Sequence, residues 1–494
     1  MNNETEKPAK RSHPFRNWLS LSGAIIALGS FFSFILLFAI DFFSQHGNPY
    51  MGILAYVVAP AFLILGFFLI FLGAWIHRRH LRKASAGAPP YALTIDLSRP
   101  RDRRALTGFI AGAVLFLLVS SLGSYQTYHY SESLQFCGQA CHTPMKPEFT
   151  AYLNSPHARV GCTECHVGSG ATAYVKAKIN GVHQLIGTLS GNYDRPIKTP
   201  VKNLRPAQET CEQCHWPKRF VGNLDRTYSH FLADETNTAF TVRLLLKVGG
   251  GDATHGPAGG IHWHMNLVNK VEYIATDTQR QVIPWVRVTE TNGVVTEYRT
   301  AKFTDDPAKY TIHTMDCMDC HNRPAHHFRS PDDAVDLAMS LGRIDPSVPW
   351  VKSNLVATLI QPYASEDDAL QKIAVTVRSQ YPNAAKVEQL VAEAQQIYRN
   401  NFFPEMKADW RAYPNNVGHK NSAGCFRCHD GLHKSTTGKR MIPANDCNSC
   451  HTILAQGSGP QLEQLNPKGH SFFHIDPEYS DFSCVNCHTG AFLK

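Results

Sequence analysis

Three apolar runs dominate the first quarter of the chain. Leu19 to Phe43, Met51 to Ile76 and Ala105 to Leu122 each approach the roughly 20 residues a helix needs to cross a bilayer. The pattern predicts three transmembrane helices. A cleaved signal peptide has a profile like that of the first run, but the run lacks a clear small-residue cleavage site and is followed at once by a second span, so it is read as an anchor. Further on the periodicity shortens. Thr241 to Val248, Val271 to Thr276 and the run from Val282 to Thr300, with Asn292-Gly293 as a hairpin turn, predict strands. It then lengthens again. Ser330 as N-cap with Pro331 at the first helical position opens one helix, Ser365 opens another, and Ala384 to Asn400 forms a third. Thr172 to Gly191 also reads as a helix, with Lys176, Asn180, His183 and Gly187 on one face.

Charge orients the apolar runs. The tail carries Lys7, Lys10, Arg11 and Arg16, the connection from Gln45 to Tyr50 has no basic residue, and the segment 77–104 carries eight Lys or Arg. The positive-inside rule places the tail and the 77–104 loop in the cytoplasm and everything after Leu122 on the other side. Residues 1–104 hold 12 Lys/Arg against 5 Asp/Glu, and the remainder 36 against 35. The net +8 is therefore an orientation signal and implies no nucleic acid partner.

The chemistry lies in the cysteines. All 14 fall in pairs, each followed at once by a histidine: Cys137/Cys141-His142, Cys162/Cys165-His166, Cys211/Cys214-His215, Cys317/Cys320-His321, Cys425/Cys428-His429, Cys447/Cys450-His451 and Cys484/Cys487-His488. Six read Cys-x-x-Cys-His, the attachment signature of c-type haem. Two thiols a turn apart add to the haem vinyl groups, and the next imidazole becomes the proximal iron ligand. A disulfide framework gives no reason for the trailing histidine, and a zinc site does not demand it. The first motif is one residue longer. Gly138 lets that loop bulge, and Cys141-His142 stay adjacent; the alternative is a lost haem site whose two thiols close as a disulfide in an oxidising compartment. Seven covalently bound haem c groups are expected.

The chain then reads as a membrane-anchored multihaem cytochrome c: three transmembrane helices followed by a mainly α, loop-rich haem domain with a β-rich insert. Its expected parts are a tail (1–17), two spans (18–76), a basic loop (77–104), an anchor helix (105–124), a domain for haems 1–4 (125–330) containing the β-rich insert 216–316, a helical insert (331–418) and a C-terminal domain for haems 5–7 (419–494).

The stretches FCGQACHTPMKPEFTAYLNSPHARVGCTECHVG, TCEQCH and MDCMDCHNRPAHHF resemble the NapC/NirT/NrfH family of membrane-anchored multihaem quinol dehydrogenases. The resemblance covers roughly residues 105–330. The long first motif, three-helix membrane part and seven haems are similar to the larger inner-membrane relatives of metal-reducing bacteria. The resemblance implies Met145 in an unusual axial set at haem 1, His157 as a ligand of haem 3, His326 as a ligand of haem 2, and Lys178 near a quinol site. The family also has an acidic residue one to two turns after that lysine. Here Ile179 to Leu189 contain neither Asp nor Glu, so His183, with Asn180, is the candidate proton acceptor.

The histidine surplus suggests further distal ligands. His230, His419, His433 and His474 come first, each with a plain surface or core histidine as its alternative. His255, His262 and His264 form a second tier, His470 competes with His474, and His327 with His326. No nucleotide loop, flavin motif or hydrolytic constellation stands out. The favoured reading is an inner-membrane cytochrome that oxidises menaquinol from the membrane quinol pool and passes electrons to periplasmic or outer-membrane-linked cytochromes. Two alternatives stand beside it: a haem-based reductase of a small substrate such as nitrite, and a relay subunit docked to a membrane partner through the first two helices.

Overall fold

A computed structural model describes residues 17–43, 58–83, 97–104, 106–108, 110–111, 129–167, 171–201, 204–249, 259–265, 269–290, 292–383, 386–444 and 447–474. The chain divides into two compact units, Met1–Phe136 with Cys162–His183, and Cys137–Gly161 with Gln184–Lys494.

In the first unit, α1 (Trp18–Phe43) and α2 (Ala59–Lys83) lie against each other, both long and apolar enough to cross a membrane. Small residues set the approach. A Cβ on Gly23 would lie 2.7 Å from Ile70 N, and one on Gly66 would lie 2.6 Å from Ala27 N. Close packing of backbones through small residues is what holds helices together where lipid removes the hydrophobic drive. The Ser20 hydroxyl donates to Ile70 O at 3.0 Å. Leu28, Phe32, Ile64, Phe68 and Phe71 face outward, exposed, as lipid-facing side chains do. The expected third span at 105–124 falls largely outside the described residues. Two further helices follow, α3 (His142–Leu153) in the second unit and α4 (Ala171–Leu189), which begins in the first unit and ends in the second.

The second unit is built on two antiparallel sheets and a helical layer. One sheet has the order β1 (Leu224–Phe231), β2 (Ala239–Leu246), β8 (His451–Gly457). The other has the order β6 (Ile312–Thr314), β3 (Lys270–Ile274), β4 (Trp285–Thr289), β5 (Val295–Arg299), β7 (Lys434–Ser435). The Asn292-Gly293 turn joins β4 to β5, with Gly293 at φ 79°, a conformation that favours glycine. Strands β7 and β8 come from the expected C-terminal haem segment, yet they pair with strands of the β-rich insert. Insert and C-terminal segment therefore share both sheets.

Helices α5 (Pro331–Ser340), α6 (Val351–Leu359), α7 (Glu366–Gln380) and α8 (Val387–Asn401) enclose the main apolar core, where Val335, Leu355, Val356, Ile373, Val377 and Ala394 are shut off from solvent. Ser330 and Ser365 cap α5 and α7 through Asp333 N (3.1 Å) and Asp368 N (3.2 Å), as their sequence positions predict. The helix α6 has no such cap; Trp350 precedes it in the left-handed region.

Candidate haem-binding sites

Each described Cys-x-x-Cys-His motif is built on a single helical turn: Cys162–His166, Cys211–Gln213, Cys317–Cys320, Gly424–Arg427 and Cys447–Ser449. In three of them the trailing histidine closes the turn with the same bond, His215 N to Cys211 O (2.8 Å), His321 N to Cys317 O (2.8 Å) and His429 N to Cys425 O (3.0 Å). One turn brings both thiols to one side with the imidazole beside them, the disposition that two thioethers and a proximal ligand need. Asp316 and Asp319 form a capping box that fixes the fourth motif. The long first motif is a π-helical turn, Phe136–Ala140, leading into α3. A π turn absorbs one extra residue per turn, so the inserted residue is wound in rather than looped out. Gly138 is buried there, and a Cβ on it would lie 2.6 Å from Phe149 Cε2.

Among the described short motifs the second cysteines differ in exposure. Cys165 and Cys214 are exposed, whereas Cys320, Cys428 and Cys450 are half-buried. Cys214 and Cys450 also fall just past the ends of their 3-10 turns, each tied back through its amide, Cys214 N to Cys211 O at 3.1 Å and Cys450 N to Cys447 O at 3.3 Å. The physical reason is the surroundings of each turn. The turns that carry or precede Cys165 and Cys214 bury none of their own residues. Cys428, by contrast, packs against the small core around Tyr273 and Val286. Spacing thus predicts the turn, and neighbours distant in sequence decide how far each sulfur is covered.

Burial pushes the thiols of Cys317 and Cys320 up to about 11 and that of Cys428 up to about 12. A metal site built on thiolates would work against that burial; an uncharged thioether does not.

The clearest geometric feature is a set of facing imidazoles. His157 and His215 have ring centres 6.1 Å apart, His262 and His321 6.4 Å, His264 and His429 5.9 Å, and His419 and His451 6.3 Å. In every pair one ring belongs to a haem motif and the other does not. With a metal–nitrogen bond of about 2 Å on each side and roughly 1.2 Å from nitrogen to ring centre, two imidazoles across one iron sit about 6.4 Å apart. The partner rings are oriented from behind. The Nδ1–H of His157 donates to Pro324 O (3.1 Å), that of His262 to Val248 O (3.0 Å), that of His264 to Ile261 O (2.8 Å), and on the motif side that of His429 to Pro443 O (2.8 Å). A carbonyl on Nδ1 fixes the tautomer and leaves the Nε2 lone pair for a metal. Burial lowers the pKa of His262, His264, His321, His419 and His451, which keeps them in the neutral form a ligand requires. At His419 and His451, Nδ1 is buried with no hydrogen-bond partner among the described residues. The residues present fit haem.

The loop carrying His157 is pinned by the Tyr152 phenol, 2.9 Å from both Ala158 O and Val160 O. His326 is oriented by Nδ1–H donation to Glu148 O at 2.9 Å, with Arg323 gripping the same glutamate's carboxylate. Met145 is half-buried one turn beyond His142 on α3. Lys178, Asn180 and His183 all lie on α4, where His183 is exposed together with Ile179 and Ile186. His474 is half-buried near Phe472. Cys484, Cys487 and His488 lie outside the described residues.

Two expected distal ligands are placed differently. His433 is fully buried and engages both ring nitrogens, Nδ1 with Asp430 Oδ1 and Nε2 with Ile283 O, each at 2.8 Å, so neither nitrogen is left for iron. His230 holds Asp336 through Nδ1 at 2.9 Å, inside a charge network in which Lys352 bonds Asp332 and Asp336 and Lys420 bonds Asp332 and Asp333. Among the described residues no motif imidazole faces His230 or His433. His262 and His264, ranked second by sequence, take facing positions instead. They occupy a 3-10 turn, Ile261–Met265.

A model of the NapC/NirT cytochrome c family, N-terminal region, matches residues 99–210. The cytochrome c-type protein ImcH of Geobacter sulfurreducens is 40% identical across 96% of this chain and 95% of its own length. No solved structure matches significantly. With its repeated haem-attachment turns and facing imidazoles, the chain belongs to the NapC/NirT family of multihaem c-type cytochromes, membrane proteins of electron transport.

Proposed function

We propose that this cytochrome sits in the bacterial inner membrane, oxidises menaquinol at the periplasmic face, and passes the electrons through seven covalently bound haems to periplasmic or outer-membrane-linked cytochromes. The observation that carries this reading is the recurrence of the facing imidazoles. An iron held on both faces is six-coordinate and suited to electron transfer, and it offers no open position to a small substrate. The same geometry counts against the nitrite-reductase alternative. Haem c, when bound, supplies the one-electron chemistry.

The protein's own residues supply the rest. The outward face of α4 combines Ile179 and Ile186 with His183, an apolar surface around a titratable group and therefore suited to a quinol at the membrane boundary. Oxidation of one quinol releases two electrons and two protons. His183 takes a proton from the quinol hydroxyl, while Asn180 and Lys178 hold the quinol oxygen or a water. For the axial sets we assign His157 to His215, His419 to His451 and Met145 to the first haem, and we keep His326 and His474 as further distal ligands. In this reading His230 and His433 are structural.

Anaerobic stopped-flow of the protein in nanodiscs, mixed with a menaquinol analogue and followed in the haem α-band, tests the direction of flow. Rapid reduction of most haems is expected. Full reduction by a soluble donor with none by quinol would overturn the reading. His183→Ala should slow quinol-driven reduction about 100-fold or more, the scale of a lost general base, and leave dithionite reduction unchanged.

A further inference from the structure

His262 and His264 belong to no attachment motif, and they flank Trp263 on one short turn. Their rings diverge to two different motifs. His262 faces His321 with the planes 7° apart, and His264 faces His429 with the planes at 82°. A private metal site of the His-x-His kind would need both rings to converge, and they do not. Trp263 packs into the small core formed by Val271, Tyr273, Ile283 and Val286, so the turn is anchored from its middle residue.

The two motifs they face are locked together, although the whole helical layer separates them in sequence. Arg427, between Cys425 and Cys428, is buried. It donates Nη2 to Asp319 O (2.6 Å), Nη1 to Arg280 O (2.9 Å) and Nε to Gly424 O (2.9 Å). Asp319 lies between Cys317 and Cys320, and Asn416 Nδ2 reaches the same Asp319 carbonyl at 3.0 Å. A buried guanidinium spread over three carbonyls is a rigid rivet, because leaving any one of its donors unpaired is costly.

We propose that His262 and His264 are the distal ligands of the fourth and fifth haems, so that the His262-Trp263-His264 strap holds these two haems as one fixed pair. The proposal rests on the multihaem electron-transfer reading and adds the junction within it. Ligands two residues apart cannot separate by more than about 7 Å along the chain, and the Arg427 lock holds the attachment turns to each other from below. This is where electrons leave the haem set of the N-terminal motifs for that of the C-terminal motifs. Trp263 and Arg427 are positioning residues.

The test uses the full-length holoprotein with His262→Met and His264→Met made separately. Each variant should keep its full covalent haem complement by peptide mass. Each should gain one methionine-ligated ferric haem, seen as the weak red charge-transfer absorption of such a haem and as an upward shift in the potential of one haem only. Should methionine fail to fit, His262→Gly and His264→Gly read the same positions: one haem turns high-spin by electron paramagnetic resonance, and added imidazole returns it to low-spin. His230→Gly is the comparator and should leave every haem low-spin. A full haem complement with unaltered spectra in the His262 and His264 variants would overturn the proposal, as would a ligand-loss signature in His230→Gly instead. Absence of covalent haem from the fourth and fifth motifs of the unaltered chain would defeat the multihaem reading itself, and peptide mass distinguishes the two failures.

Discussion

The helical layer and the haem-motif segments of the second unit are held together by different means. Most of the fully buried aliphatic side chains described in that unit lie in α5–α8, which interlock around Leu355, Ile373 and Val377. The motif segments are single turns on which Arg427 and Asp319 are buried, while the thiols are half-buried or exposed and His215 and His321 are exposed. The first region folds on apolar area removed from water. The second has little such area, and its facing imidazoles stand with ring centres 5.9 to 6.4 Å apart, a separation a haem iron would bridge. A multihaem cytochrome thus combines a scaffold that its own side chains stabilise with a conduit that its cofactors stabilise.

Removing one cofactor should separate the two regions most sharply. Replacing both Cys317 and Cys320 by Ala is expected to remove one covalent haem by mass. It should open protease cleavage around residues 204–224 and 416–435, with α5–α8 still protected. Equal protection of both regions would erase the distinction.

Next in size is the charge network at the N-terminus of α5. Lys352 is 5% exposed and its partner Asp336 3%. Removing one member of a buried pair leaves an uncompensated charge, so Lys352→Met should cost about 3–5 kcal/mol in denaturant unfolding. The network also sets an acid limit. Burial alone would raise the Asp332 carboxyl, yet Lys420 and Lys352 hold it far below its ordinary value; Asp333 is lowered against burial in the same way, chiefly by Lys420. A depressed carboxylate contributes stability that is complete above its unfolded value of about 3.9 and is lost as pH falls toward the folded value. Unfolding of the helical layer should therefore set in below about pH 5 and deepen toward pH 2. A main transition near neutral pH would contradict this account.

Leu355→Ala, in the middle of the apolar core, should cost about 2–5 kcal/mol and leave the haem spectrum unchanged. A spectral change would mean that the core and the conduit are mechanically one body.

What the sequence made legible follows the same division. The six described motif turns, two serine caps, the Asn292-Gly293 turn and α4 could be read directly, because each depends on neighbours within a few residues. The strand β1 was missed: its sequence, LDRTYSHF, is polar and its first six residues are exposed. The helix α6 lacks a capping side chain, and β8 directly follows Cys450 and begins at a haem histidine, so neither carried a local signal. That His262 and His264 face motif imidazoles was beyond reach for a related reason. Which imidazole meets which motif is decided by tertiary partners such as Ile283 O and Asp336, far away in sequence. The open sulfurs of Cys165 and Cys214 follow the same rule, since identical motifs differ only in what the rest of the chain lays over them.

The smallest effect expected concerns the long first motif, where local winding replaces both core and cofactor as the deciding factor. A π turn carries about 4.4 residues and an α turn 3.6, so Cys137 and Cys141 on the π turn stand in nearly the relation that an ordinary Cys-x-x-Cys pair has on an α turn. Gly138 makes this possible, since the Phe149 ring occupies the space a Cβ would take. Gln139 is exposed. Deleting Gln139 should therefore convert the π turn to an α turn, keep the covalent haem count by mass, and change quinol-driven reduction by no more than about twofold. Gly138→Ala should do more, displacing Phe149 at a cost of about 1–3 kcal/mol and disturbing the first haem's spectrum alone, with Phe149→Leu in the same chain restoring it. If deleting Gln139 strips the first haem while Gly138→Ala leaves it untouched, the extra residue is a requirement of attachment rather than a residue the helix has absorbed.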